Sequence, residues 1–162
     1  MHPASGAMPQ IDPLPFRLRV PGQDVIDSEG VWSISYRGEG LLHLDGETLT
    51  LEWAATRTTE RVAVTGVGTD VEHSPIGTLE LPVDWIIGVR LRGGWWWPRL
   101  ELRARRLDAF DGFPGSKPGM ITLKIRRRDR DHAAALVAAI DIERAAVSLP
   151  TERDEPRLGP GD

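Results

Sequence analysis

With 162 residues, 40% of them apolar and 27% charged, the chain has the size and balance of one folded domain with its own core, not those of a disordered polymer. It contains no cysteine, which excludes disulfides, thiolate zinc sites and thiol nucleophiles together. A net charge of −4 and the lack of any apolar run of bilayer length argue against nucleic acid as the main partner and against a membrane-spanning helix.

Residues 1–13 are polar, proline-containing and aperiodic, and read as a flexible leader. They hold no basic start followed by an apolar stretch, so no secretory signal is expected and a cytoplasmic location is the default. Residues 14–20 alternate weakly, Phe16, Leu18 and Val20 against Arg17 and Arg19, as an edge strand would. Residues 31–37 set Trp32, Ile34 and Tyr36 on one side and Ser33 and Ser35 on the other. Residues 41–44 and 48–53 flank Asp45-Gly46, a pair suited to the positive φ of a tight hairpin turn. In the second arm Leu49, Leu51 and Trp53 face together. Residues 54–77 carry several glycines and Pro75 and read mostly as a long loop, with a short strand suggested by Val62 and Val64.

Period-two patterning returns at residues 78–83, 86–92, 99–105 and 120–126. Val89 and Leu91, then Leu100, Leu102 and Ala104, then Ile121, Leu123 and Ile125 supply an inward face. The connection at 107–119 holds Pro114, Gly115, Pro118 and Gly119 and cannot sustain a strand. A helix is expected from an N-cap at Asp129, with Asp131 in its first turn and an apolar stripe of Ala133, Leu136, Val137, Ile140 and Val147. Pro150 stops it, and residues 150–162 read as a disordered tail.

This succession, closing on hairpin, strand and single helix, resembles the bacterial pleckstrin-homology-like (PH-like) domains. The resemblance is carried by LPVDWIIGVRLRGG, PRLELRARR and MITLKIRRRDRDHAAALVAAI, with Pro82, Ile86, Val89, Leu100, Leu102, Leu123 and Ala133 at the matching core positions. It implies a mainly β fold: a seven-stranded antiparallel barrel or sandwich over residues 14–149 with one C-terminal amphipathic helix. It also implies a non-enzymatic module that binds proteins, peptides or lipids. PH domains that bind phosphoinositides place basic residues around the first hairpin loop. The corresponding turn here, Arg37-Gly38-Glu39-Gly40, has one arginine and one glutamate, which points away from that ligand.

Charge is segregated along the chain. Residues 1–85 carry 5 basic and 13 acidic side chains, residues 86–130 carry 12 and 4, and residues 131–162 carry 3 and 7. If the apolar members of the last three strands face inward, Arg90, Arg92, Arg99, Arg103, Arg105, Lys124 and Arg126 point outward, interrupted by Glu101. Such a face is either a platform for an acidic protein or anionic lipid, or a solvated surface neutralised by other parts of the chain.

Beside it lies Gly93-Gly94-Trp95-Trp96-Trp97-Pro98. Three consecutive side chains cannot all enter one core, so at least one tryptophan is expected to be exposed or covered by another segment. Trp95, Trp96 and Trp97 with the neighbouring arginines form the expected contact surface, suited to a protein hot spot or, less well, to a membrane interface. The helix back face, with Ala135, Ala138, Ala139, Ile142, Ala146 and Leu149, calls for cover by the leader around Leu14 and Phe16 or by a second copy.

No catalytic or cofactor motif is present, and no metal site is assigned. A metal-dependent enzyme would need His43, Asp45, Glu72 and His73 to converge. A lipocalin-like binder of a small apolar ligand would need an open interior. The sequence therefore favours a binding module with a protein partner.

Overall fold

The computed structural model of the chain describes residues 11–28, 30–63 and 65–148. Most of the expected leader, the expected tail, Val64, Leu149 and Pro150 fall outside these residues. Eight strands and one long helix are described: β1 (Leu14–Asp27), β2 (Gly30–Asp45), β3 (Thr48–Ala63), β4 (Gly66–His73), β5 (Gly77–Pro82), β6 (Ile86–Arg92), β7 (Arg99–Ala104), β8 (Met120–Lys124) and α1 (Arg130–Ser148). All strands join one antiparallel sheet in the order β4-β3-β2-β1-β8-β7-β6, with β5 beside the first half of β3. The chain is mainly β with a single C-terminal helix, and the sheet is open.

One face of the sheet is apolar because the alternation expected for the last strands holds throughout. Leu14, Phe16 and Leu18 of β1, Leu49, Leu51 and Trp53 of β3, Leu100 and Leu102 of β7, and Ile121 and Leu123 of β8 are all buried. The 107–119 connection forms no strand and joins this core through Phe110 and Phe113. The Phe113 ring meets Trp53 edge-on at 4.9 Å and lies 6.1 Å from Phe16. Helix α1 packs against β6 and the 3-10 turn Val83–Trp85, burying Ala133, Leu136 and Ile140.

Several expectations are corrected. The segment at 14–20 is no edge strand: β1 runs on to Asp27 and pairs with β2 on one side and, at Arg17, with β8 on the other. Residues 31–37 and 41–44 are one strand. Gly38 and Gly40 lie within β2, where a Cβ would strike the carbonyl oxygens of Ala54 and Glu52 and, at Gly40, the Phe16 ring. They allow close approach and a bend in the strand, not a turn. The first hairpin therefore closes at 27–30, where Asp27 Oδ1 accepts a hydrogen bond from Gly30 N at 3.1 Å. Arg37-Gly38-Glu39-Gly40 is thus not the first hairpin loop, and its composition says nothing about a phosphoinositide ligand.

The largest difference is at 54–77. Most of this stretch is strand, the second half of β3 returning through β4. With the distal parts of β1 and β2 it makes a four-stranded arm beyond the core. Arg61 stacks over Trp32 at 4.7 Å and Arg57 pairs with Glu72 at 3.9 Å. Ile26, Val31, Val62 and Val67 stand in register across its four strands and are exposed. By contrast, the hairpin at Asp45-Gly46 forms as expected, with Asp45 opposite Thr48 and Gly46 at φ +55°.

The helix begins at Arg130, directly after Asp129, as expected. Asp129 also closes the 3-10 turn Arg127–Asp129, and its Oδ2 accepts no hydrogen bond and lies 3.9 Å from Arg128 Nε. Val147 is exposed and does not join the buried stripe.

Candidate functional site

The tryptophan turn links β6 to β7 and is closed tightly. Gly93 adopts φ +82°, and a Cβ there would strike the Trp97 carbonyl oxygen. Ile125 N donates to Pro98 O at 3.0 Å, fixing the end of the turn to the residue that follows β8. On the other side Arg130 donates to Gly94 O at 3.2 Å. The Arg127 guanidinium sits 5.0 Å from the Trp95 ring and 4.2 Å from the Trp96 ring. All three indoles are exposed, Trp95 by 54%, Trp96 by 68% and Trp97 by 78%. None plugs the end of the core. The arginine contacts hold Trp95 and Trp96 without covering them.

The outer face of β6, β7 and β8 carries Arg90, Arg92, Arg99, Arg103 and Lys124, all exposed, as is Arg105 just after β7, while Arg126 after β8 is partly buried. They are not equivalent. Glu101, whose side chain is only 14% exposed, pairs with Arg103 at 2.8 Å and with Arg92 at 3.4 Å. Arg126 lies 3.4 Å from Glu39 of β2. The middle of the arginine face is therefore partly neutralised by this carboxylate. Arg99 and Lys124 pair with no carboxylate among the described residues.

Those two belong to a group that sequence reasoning did not assemble. A cleft of about 610 Å³ opens where β1 and β8 part, and five cationic side chains line it: Arg17 and Arg19 of β1, Arg37 of β2, Arg99 of β7 and Lys124 of β8. Trp97 and Pro98 form its rim, and Glu39 is the one acidic lining residue. Arg17, Arg19 and Arg37 likewise pair with no carboxylate among the described residues. Their clustering follows from the register: Arg17 faces Lys124 across the sheet, and Arg19 faces Arg37. The sequence signal was the alternation of Arg17 and Arg19 against Phe16 and Leu18. A basic patch of this kind, beside an exposed aromatic rim, attracts and orients an acidic surface.

The remaining candidates stay apart. His43 lies opposite Thr50 and His73 opposite Thr56, six residues along β3, about 20 Å at the rise of an extended strand. His73 Nδ1 is 3.2 Å from Thr56 Oγ1, and the described residues contain no group of three or more His, Asp or Glu placed to hold a metal ion. Asp45 is at the hairpin turn and Glu72 is paired with Arg57. Leu14 and Phe16 belong to the core and leave the back face of α1 uncovered, with Ala135, Ala138, Ile142 and Ala146 exposed. Near Trp85, the Arg106 fork donates to Asp108 at 3.0 and 2.7 Å and stacks over the indole at 4.5 Å. Its hydrogen bonds hold the Asp108 carboxyl below the ordinary carboxylate value.

Compared with known proteins, the chain matches no protein-family model, no curated protein and no solved structure.

Proposed function

We propose that this chain is a PH-like, non-catalytic binding module that docks a protein partner through Trp95, Trp96 and Trp97 and the cations beside them. The single observation that carries the reading is an exposed tryptophan turn that meets, through Trp97, a cleft of five cations lacking a carboxylate partner among the described residues. Tryptophan and arginine are enriched among the few residues that carry most of the energy in protein interfaces, because each combines a large contact area with directional polar groups. The strand order supports the PH-like part: a first run of strands meets a final three through β1 and β8, and the helix follows the last strand. A binder of a small apolar ligand needs an empty interior, and here Phe16, Trp53, Phe110 and Phe113 occupy the core side of the sheet.

Replacing Trp95, Trp96 and Trp97 together with serine should abolish partner capture from native lysate while leaving the far-ultraviolet circular dichroism and the unfolding midpoint nearly unchanged. Loss of folding would instead make the turn a structural element. Anionic lipid is the second reading, favoured by indoles placed next to cations. It is tested by sedimentation with anionic and neutral vesicles at low and raised salt; binding confined to anionic vesicles and lost in salt, with no protein captured, would replace the protein reading.

A further inference from the structure

The register of the sheet sets the cations of the cleft side by side. Arg99, Lys124 and Arg17 stand directly opposite one another on β7, β8 and β1, and Arg19 stands opposite Arg37 of β2. Like charges in that relation destabilise a sheet. No carboxylate among the described residues relieves them, because Glu39, opposite Arg17, turns to Arg126 at 3.4 Å. Two strand spacings make the row from Arg99 to Arg17 about 10 Å long, and two residues of β1 carry it about 7 Å further to Arg19. Trp97 borders this row throughout. It lines the main cleft, a neighbouring one of about 420 Å³ with Arg17 and Lys124, and another of about 350 Å³ with Arg92 and Arg99. Arg127 stacks on Trp95 and Trp96, whereas no cation among the described residues lies over Trp97, which is 78% exposed. Its indole is open beside the cations.

We infer that this cleft binds a nucleoside polyphosphate, with the phosphate chain on Arg17, Arg19, Arg37, Arg99 and Lys124 and the base on Trp97. Charge density selects phosphate over carboxylate. Along an extended acidic peptide, side chains on one face recur about every 7 Å, so about two carboxylates would fall within the row. A phosphate chain carries charge on every link within the same span, and the planar fork of arginine matches phosphate oxygens in pairs. Repulsion along the row adds to the affinity, since the ligand removes it. The exposed indole supplies the second half of the site. Stacking on an aromatic ring accepts any base, so the cleft selects a nucleotide without choosing which base it carries. A volume of about 610 Å³ lies within the range of small-molecule sites. This ligand does not depend on the protein-contact reading, although it uses Trp97 and the same cations.

The test is calorimetric titration of the full chain, at about 0.1 M salt, with ATP, AMP and inorganic tripolyphosphate. ATP should bind one per chain. AMP, which lacks the chain of phosphates, should bind at least about tenfold more weakly, and tripolyphosphate, which lacks the base, at least about fivefold more weakly. Trp97→Ala should weaken ATP by that same factor of about five and leave tripolyphosphate unchanged, whereas R19E/R37E should weaken both at least about tenfold. All three altered side chains are exposed, and circular dichroism checks that each variant keeps its fold. No binding of ATP, equal affinity for ATP and tripolyphosphate, or unchanged ATP affinity in Trp97→Ala overturns the inference. An oligoadenylate that binds where ATP does not overturns it as well, in favour of a nucleic-acid strand. If ATP fails to bind while serine at Trp95, Trp96 and Trp97 abolishes partner capture, only this inference falls; if ATP binds as stated and those variants keep capture, the partner reading falls alone.

Discussion

Phe113 shows how one side chain converts a connection into part of the core. It is buried, it lies edge-on to Trp53, and its loop also brings Gly115 against Val20, at a point where β1 has left β8. Phe113→Ala should cost about 3–5 kcal/mol, the usual range for removing a buried ring that its surroundings cannot refill. A urea titration reads this as a lower midpoint; a loss under ~1 kcal/mol would mean that the loop is not holding the core. Proline and glycine around Phe113 marked a break in the strand pattern, and they gave no sign that the break turns inward. A second prediction concerns Asp108, whose carboxylate is held ionised chiefly by hydrogen bonds from Arg106. A group lowered on folding contributes stability that is complete above its ordinary value, here 3.8, and lost as pH falls through the lower folded value. Both partners are exposed, so the effect is read by titration: the carboxyl resonance of Asp108 should have its midpoint below 3.8, moving back up in Arg106→Gln. No movement in that variant would remove the fork as the cause.

The strands β6, β7 and β8 were legible because each buries one face and exposes the other, so apolar and charged residues alternate without interruption. The arm was not. Beyond Ala55 the strand β3 has Arg57, Thr59 and Arg61 on one side and Thr56, Thr58 and Glu60 on the other, which leaves no apolar period to detect. The two glycines of β2 misled in the same way, since a residue absent for reasons of close approach looks in sequence like a turn. This composition has a dynamic consequence. The described residues of β4 are exposed throughout, and β4 forms the outer edge of the arm, so its hydrogen bonds open without disturbing the core. Amide hydrogens of residues 66–73 should exchange orders of magnitude faster than those of Leu49, Leu51 and Trp53. Comparable protection in both groups would mean that the arm opens only with global unfolding.

Taken as one body, the chain carries opposed charge in different places, and its net charge describes neither. The sequence displayed the basic block at 86–130, but the cleft draws three of its five cations, Arg17, Arg19 and Arg37, from the acidic block at 1–85. Only the non-local pairing of β1 with β8 joins them, and a pairing between opposite ends of a chain leaves no local pattern. An approaching surface senses charge within about 10 Å at 0.1 M salt, so a patch acts according to its own sign. At pH 7 and about 0.1 M salt the protein, despite its net charge of −4, should therefore be retarded on a sulfonate cation-exchange resin. Arg17→Glu combined with Arg19→Glu should pass through the same column unretained. Arg57→Glu, which changes the charge on the arm beside Glu72, should elute close to the unaltered chain, and this control separates patch from total charge. Equal shifts in all variants would mean that net charge governs adsorption. Flow-through of the unaltered chain would mean that acidic surfaces screen the cleft, leaving it no long-range attraction for an acidic partner.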